Sequence, residues 1–315
     1  MDVRIFLKKL SGMFLTVLLI TLLTFFGFEL VKSDAALVTL GVEASPEQVN
    51  ELREKLGLNE PIVTRYLKYV GRIAKGNFGE SFIYKAQVSN IVTEKLIITS
   101  TMAVIAMFIV IIFSLIISVV STLVKDNVIE KILIVINQIV MSVPAFFSGM
   151  IITLVCGFIF KIFIPGKFIS YKENFTEFVK YMIFPSIAIA MPKCAMTIRL
   201  LTSNIRAEYN SSYVKTAVSR GNSRIRVLLS HVLKNSVLPI ITFLGMSITD
   251  ILAAGIVVEQ VFDIPGISRL LVGGISNRDY PLVQGIILVI AIIIVSVNIL
   301  VDFAYSLLDP RLKVK

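Results

Sequence analysis

The stretch LIITSTMAVIAMFIVIIFSLIISVVSTLV, residues 96–124, contains no charged side chain, no proline and no glycine. A helix needs about 20 apolar residues to cross the roughly 30 Å hydrocarbon core of a bilayer. This stretch is longer than that, so it predicts a transmembrane helix that is tilted or that extends beyond the membrane. Because the same apolar pattern recurs along the chain, it decides the fold class.

The composition agrees with a protein that stays in the membrane. Apolar residues make up 56% of the 315 residues and charged residues 17%, whereas a soluble domain has about 45–50% and about 25%. The sequence therefore predicts an all-α polytopic membrane protein with six transmembrane helices. The other five apolar segments are residues 10–31, 132–160, 181–204, 236–260 and 283–307.

The first apolar segment has two interpretations. Basic residues precede it and Asp34-Ala35-Ala36 loosely resembles a cleavage site, which is the pattern of a signal peptide. The long apolar run and the later segments favour a retained first transmembrane helix, and this is the interpretation that we adopt.

The charge distribution predicts the orientation. The net charge is +10, and an excess of Lys and Arg in short loops identifies the cytoplasmic side better than it indicates a nucleic-acid partner. The loop at about 205–235 is strongly basic, whereas residues 32–95 carry nearly equal numbers of basic and acidic side chains. Both termini are therefore expected in the cytoplasm. The predicted parts are an N-terminal tail and first helix (1–31), an extracytoplasmic helical cap (32–95) and a five-helix core with the cytoplasmic loop (96–315).

Residues 32–95 contain two helix signals. Ser45-Pro46-Glu47-Gln48 is a capping box with proline at the first helical position, and Gly57 ends that helix. A second helix is predicted after Pro61, with Ile62, Tyr66, Val70 and Ile73 on one face. The segment is either a cap that packs on the membrane helices or a connector with two surface helices.

The basic loop has an amphipathic pattern, SYVKTAVSRGNSRIRVLLSHVLKNSVLP at residues 212–239. Gly221 separates two short helical patterns and permits a left-handed turn. The predicted apolar faces are Tyr213, Val214, Ala217 and Val218 before the turn, and Ile225, Leu228, Leu229 and Val232 after it. The loop is either a lipid anchor, in which each cation contributes about 1 kcal/mol, or a docking element for a cytoplasmic partner.

Four segments carry a resemblance to a known family. The basic loop resembles the "EAA" loop in permease subunits of the peptide/nickel group of ABC importers. It has Lys215-Thr216-Ala217 where the general pattern has Glu-Ala-Ala, a departure that the peptide/nickel group shares. The family's outer segment, its fifth-loop signature and its C-terminal end resemble LREKLGLNEPIVTRYLKYVGRIAKGNFGESF (52–82), VVEQVFDIPGISRLLVGGISNRDYPLVQG (257–285) and NILVDFAYSLLDPRLK (298–313).

The resemblance implies a type I ABC importer permease in a bacterial cell membrane. Such a subunit pairs with a second, homologous permease, two cytoplasmic ABC ATPases and an extracytoplasmic substrate-binding protein. The cargo would be an oligopeptide or dipeptide, with nickel or a metal chelate as the alternative. This chain would hold no cofactor, because ATP and magnesium bind the ATPases. The residues implied to couple to an ATPase are Tyr213, Val214, Lys215, Thr216, Ala217, Arg220 and Gly221.

The ionisable residues within or near the spans include Lys193, Asp250, Glu259 and Asp302. A charge at the bilayer centre costs about 2.5–3.5 kcal/mol, so such residues face protein or water. Asp250 either lines the transport pathway and meets a cationic group of the substrate, or bonds to a neighbouring helix. Lys193 either extends to the membrane edge or pairs with an acid, whereas Glu259 and Asp302, near helix ends, are expected to be structural.

Prolines within the apolar segments include three candidate hinges. Pro144, Pro185 and Pro192 each remove a backbone donor and favour a kink. They are either hinges of the pathway or simple packing kinks.

Other functional classes lack their signatures in this sequence. It has no G-x-x-x-x-G-K-[ST] motif, so uphill transport would need a partner ATPase or an ion gradient. It has no H-E-x-x-H or G-x-S-x-G motif, and His231 lacks a catalytic or metal-binding neighbourhood. Cys156 and Cys194 lack C-x-x-C spacing and are expected to be free thiols. The alternative class is an ion-coupled secondary transporter, but the halves show no inverted repeat.

Overall fold

The computed structural model describes residues 3–30, 40, 44–55, 57–124 and 127–308, so Asp34 to Ala36 lie outside the described residues. The chain forms two compact units, one from Met1–Ile98 with Pro265–Ser296 and the other from Thr99–Ile264 with Val297–Lys315. The described part is nearly all helical. Its helices are α1 Val3–Leu30, α2 Pro46–Lys55, α3 Ile62–Ala74, α4 Val88–Leu123, α5 Asn127–Ser142, α6 Ala145–Ile152, α7 Phe175–Tyr209, α8 Ser212–Ser219, α9 Arg224–Val227, α10 Leu233–Val261, α11 Ile267–Ser276 and α12 Tyr280–Leu308, with π-helical turns at Thr153–Ile159 and Leu228–Val232.

The apolar segments form membrane-spanning helices, as the sequence predicts. Five spans are long and apolar enough to cross a bilayer, and a sixth is present if one bent pair of helices counts as a single span. The five spans are Leu10–Leu30, Val88–Leu123, Phe175–Tyr209, Arg224–Val261 and Tyr280–Val301. The bent pair, Val128–Ser142 and Ala145–Ile159, turns by 102°.

Pro144 lies at that turn, with an extended backbone (φ −63°, ψ 148°) at the start of α6. A proline has no N–H to donate to the preceding turn, and its ring collides with the carbonyl four residues earlier. The third apolar segment is therefore broken at Pro144. Pro185 and Pro192 differ, because α7 continues as a helix through both. A hinge function for these three prolines stays a prediction.

The capping box in the first unit is confirmed at atomic detail. The Ser45 N–H donates to Gln48 Oε1 at 3.0 Å, and the Gln48 N–H donates to Ser45 Oγ at 3.3 Å. Helix α2 begins at Pro46, and Gly57 adopts a left-handed φ of +68° beyond its end. The capping box thus supplies hydrogen-bond acceptors for two N–H groups that have no partner within the helix.

Helix α3 packs against the first transmembrane helix. The rings of Phe25 and Tyr66 lie 5.4 Å apart and those of Phe25 and Tyr69 lie 5.5 Å apart. Arg65 pairs with Glu29 at 2.8 Å. These contacts favour a packed cap over a plain connector.

A buried carboxylate joins two distant segments of the first unit. Asp279 is fully buried and accepts hydrogen bonds from the Ser81 hydroxyl and from the N–H groups of Phe82, Ile83 and Leu282. The bond from Leu282 caps the start of α12, and the other three fix the chain before α4.

Helix α7 is the central element of the second unit and packs against α5, α6 and α10. Polar side chains hold this packing at several depths. The Ser186 hydroxyl donates to the Met102 carbonyl at 3.0 Å, and the Tyr181 hydroxyl donates to the Phe262 carbonyl at 2.7 Å. The fully buried Glu259 accepts a 2.6 Å hydrogen bond from Thr99. This contact is consistent with the structural role expected for Glu259.

Candidate functional site

Helix α8 forms the first half of the basic loop. Two of its residues hold it against the rest of the second unit. Val214 and Ala217 are buried in a hydrophobic cluster with Leu201 and Ile205 of α7. Tyr213 and Val218, the other two residues of the predicted apolar face, are 36% and 54% exposed.

The remaining residues of the predicted coupling set lie on the outer side of α8 or at its end. The side chains of Lys215, Thr216 and Arg220 are exposed. The Thr216 hydroxyl donates to the Ser212 carbonyl at 3.2 Å, within the helix. The outward surface of α8 therefore combines two cations with the apolar side chain of Val218.

Gly221 forms the turn that the sequence predicts. Its φ is +81°, and its N–H donates to the Val218 carbonyl at 2.9 Å. The Asn222 side chain donates to the Ala217 carbonyl at 3.0 Å, which satisfies a second group at the end of α8. A left-handed residue after the last helical turn is the common way to end a helix and to redirect the chain.

The second half of the loop buries a different face from the predicted one. Val227, Leu228 and Val232 are buried, whereas Ile225 and Leu229 are exposed. The sequence pattern assumes 3.6 residues per turn, but Leu228–Val232 is a π-helical turn. Its i→i+5 hydrogen bonds change the angle between successive side chains, so the apolar face does not follow the expected period.

A hydrogen-bonded triad ties α8 to the two spans on either side of it. The Tyr213 hydroxyl donates to Glu208 Oε1 at 2.7 Å, near the end of α7. The Asn235 side chain, near the start of α10, donates to the same carboxylate at 3.3 Å and to the Tyr213 oxygen at 3.1 Å. Partial burial and then the hydrogen bond to Glu208 raise the pKa of Tyr213 above its ordinary value. The phenol therefore stays protonated and keeps donating at neutral pH.

A polar cavity of about 340 Å³ lies beside the loop. Arg206 of α7 pairs with Glu130 of α5 at 2.5 Å, and the Arg224 guanidinium donates to the Thr122 carbonyl at 3.2 Å. These contacts attach the loop to α4 and α5 as well. The cavity is lined by Ser121, Thr122, Val124, Glu130, Arg206, Tyr209, Asn210 and Arg224.

Within the spans, the structure pairs Lys193 with Asp250. Lys193 Nζ of α7 lies 2.5 Å from Asp250 Oδ2 of α10. The side chain of Lys193 is 22% exposed and that of Asp250 is 54% exposed. Pairing with an acid is the alternative observed for Lys193, and a bond to a neighbouring helix is the alternative observed for Asp250. Sequence reasoning did not identify either partner.

The candidate metal ligands of the sequence are not gathered into a cluster in the described part of the chain. Nowhere among the described residues do three His, Cys, Asp or Glu side chains come together as a possible metal site. Cys156 and Cys194 are free thiols, and His231 is exposed on the basic loop.

Comparisons with known proteins agree with these features. Residues 114–314 match the model of the family described as binding-protein-dependent transport system inner membrane component, and residues 2–103 match the N-terminal model for such membrane components. A probable peptide ABC transporter permease of Sinorhizobium fredii is 28% identical over 98% of both chains. A dipeptide transport system permease of Alkalihalophilus pseudofirmus is 29% identical, covering 93% of this chain and 94% of its own. A glutathione transport system permease of Salmonella paratyphi A is 26% identical over 98% of both chains.

Proposed function

The chain belongs to the family of binding-protein-dependent transport system inner membrane components, and we propose that it is a permease subunit of an ATP-driven importer of oligopeptides or dipeptides. The relatives are named for transport of peptides, dipeptides and glutathione, which is itself a small peptide. These names support a peptide cargo and do not favour nickel. The match to relatives along nearly the whole chain supports the assignment further.

The observation that carries the mechanism is the way in which the basic loop is attached. Val214 and Ala217 anchor α8 in the hydrophobic cluster, and Tyr213 bonds to groups on both α7 and α10. A lipid anchor needs no fixed position relative to the spans. An element that transmits motion does need a fixed position, because a displacement of α8 must be passed on to the helices that form the pathway.

The outward surface of the loop suits a protein partner. Val218, Ile225 and Leu229 are exposed, although each is a large apolar side chain. Short amphipathic helices bind grooves of other proteins through such exposed apolar positions, and the neighbouring cations Lys215 and Arg220 add charge. The occupant of this surface is an ATPase subunit in the proposed complex.

The complex contains a second, homologous permease, two cytoplasmic ABC ATPases that bind ATP and magnesium, and an extracytoplasmic substrate-binding protein. ATP binding draws the two ATPases together, and each loop moves with its ATPase. The spans attached to the loop then exchange between two arrangements that open the pathway to opposite sides. The permease itself performs no chemical step.

Reconstitution of the whole complex in lipid vesicles tests this function. The expected result is ATP-driven uptake of a dipeptide, with ATP hydrolysis stimulated by the peptide-loaded binding protein and not by a nickel chelate. Gly221→Asp and Tyr213→Ala should each reduce this stimulation. Failure of any ATPase to bind the permease, together with normal transport by both loop variants, would contradict the proposal.

A further inference from the structure

The Lys193–Asp250 pair lies in the interior of two membrane-spanning helices, where contact with lipid is unfavourable for a charged group. Lys193 is near the middle of the 35-residue helix α7, and Asp250 is in the interior of α10. More than half of the Asp250 side chain is exposed on the single chain. A charged group at this depth faces protein or water, because facing hydrocarbon is costly.

Exposed polar side chains continue on the same helices beyond the ion pair. On α7, Met196, Arg199 and Ser203 are exposed at helical spacing after Lys193. On α10, Thr242 and Met246 are exposed before Asp250, and the apolar Ala253 and Val257 are exposed after it. Residues three or four apart lie on one side of a helix. Each helix thus presents a mixed stripe of charge, hydroxyl groups and methionine.

Helix α4 shows what a surface suited to lipid looks like in this chain. Its exposed positions in the same second unit include Val104, Phe108, Ile111 and Ile116, all of which are apolar. The stripes on α7 and α10 differ from this surface in both charge and hydrogen-bonding capacity. Composition therefore distinguishes two kinds of exposed surface on the membrane helices.

We propose that the stripes on α7 and α10 line the transport pathway and that the Lys193–Asp250 pair receives the two charged ends of a peptide in transit. This inference rests on the proposed function and specifies which residues touch the cargo. The peptide ammonium replaces Lys193 at the Asp250 carboxylate. The peptide carboxylate binds the released Lys193, with Arg199 as a second cation.

Charge complementarity identifies the occupant. A free peptide carries one ammonium and one carboxylate, so it exchanges with an ion pair without leaving a net charge in the membrane. Asp250 is the more exposed partner on the single chain, so its carboxylate is the group that an approaching peptide ammonium can reach. Met196 and Met246 are flexible apolar side chains that adapt to varied shapes, which suits the variable side chains of peptides.

Water accessibility in the assembled complex is the first test. Asp250→Cys and Met246→Cys are made after replacing Cys156 and Cys194, and a charged thiol reagent is applied. Phe108→Cys is the matched control, since it is an exposed apolar position on α4. Positions 250 and 246 should react much faster than position 108. Reaction as slow as at position 108 would overturn the proposal and identify a surface covered by lipid or by the sister permease.

Cargo with one blocked end is the second test. Uptake by each variant is expressed relative to wild type, for a free dipeptide and for N-acetylated and C-amidated dipeptides that the wild type transports. Asp250→Asn should lower uptake of free dipeptide about tenfold, as expected for one lost charge-assisted contact. It should not change uptake of the N-acetylated dipeptide, which has no ammonium. Lys193→Gln should lower uptake of the free dipeptide but not of the C-amidated one, which has no carboxylate.

A control variant and two distinct outcomes separate failure of the ion-pair proposal from failure of the proposed function. Phe108→Leu changes an exposed apolar position on α4, outside the proposed pathway, and should leave the ratio between cargoes unchanged. Equal loss for free and blocked dipeptides would overturn the role of the ion pair while peptide-stimulated ATP hydrolysis still supports the importer. Loss of ATPase binding in the wild-type complex would instead contradict the proposed function itself.

Discussion

Replacing Gly221 by alanine should weaken the connection between the basic loop and transport without removing any contact of the folded chain. The residue has a φ of +81°, and a Cβ added there would meet no atom within 4 Å. Its effect is therefore conformational and not steric. An L-residue in the left-handed region costs roughly 1–2 kcal/mol, and such a cost changes a local equilibrium by a factor of about 5–30.

A matched control exists in the other compact unit. Gly76 has a φ of +75° and is equally open, with nothing within 4 Å of its added Cβ. Gly76→Ala should therefore carry the same backbone cost of roughly 1–2 kcal/mol at a site away from the coupling loop. Gly221→Asn should fall between glycine and alanine, because asparagine tolerates the left-handed region better.

The assay compares two readouts on the reconstituted complex. Thermal unfolding should shift to a similar extent for Gly221→Ala and Gly76→Ala. Only Gly221→Ala should lower the amount of peptide transported per ATP hydrolysed. Equal effects of both variants on this ratio would refute the view that the Gly221 turn transmits motion, and would reduce it to a structural turn.

Three further predictions concern the stability of the helices that position the site, each measured by thermal unfolding of the purified complex. Asp279→Ala should cost more than about 3 kcal/mol, because it leaves several hydrogen-bond donors unpaired at a fully buried position; an unchanged midpoint would contradict this. Gly245→Ala should cost about 1–3 kcal/mol, since its Cβ would lie 2.5 Å from Val301 Cγ1. Adding Val301→Ala should restore part of the loss, and a purely additive double variant would disprove the collision. Thr99→Val should cost about 1–3 kcal/mol, because buried Glu259 loses a 2.6 Å donor; stability equal to wild type would count against it.

Local signals in the sequence were sufficient for the elements that depend on local physics. The apolar runs specify helices that can cross the bilayer, because every backbone polar group must be satisfied within the segment. The Ser45–Gln48 capping box and the Gly221 turn involve residues only a few positions apart. Each was therefore predictable without knowledge of the tertiary contacts.

The faces of the basic loop were only partly predictable. A regular helical period assigns Ile225 and Leu229 to the buried side, but the π-helical turn at Leu228–Val232 changes that period. A π-helical turn has no strong sequence signature, because it arises from the packing of the whole segment. In the same way, proline chemistry predicts a kink at Pro144 but not its 102° angle.

The sequence pattern could not predict which distant residues form ion pairs. Lys193 and Asp250 are 57 positions apart, and Arg206 and Glu130 are 76 positions apart. The cost of charge in a membrane shows that a mid-span acid needs a favourable neighbour. It does not say which residue is the neighbour, since that depends on how α7 and α10 pack.

Cross-linking from the basic loop to an ATPase subunit in the assembled complex is the most direct test of the docking role of the loop. Val218 and Val63 are matched positions, because both are valines on short helices with exposures of 54% and 62%. A photoreactive side chain at position 218 should capture an ABC ATPase, and the same group at position 63 should not. Capture of lipid alone from position 218, or equal capture from both positions, would contradict a docking role for the loop.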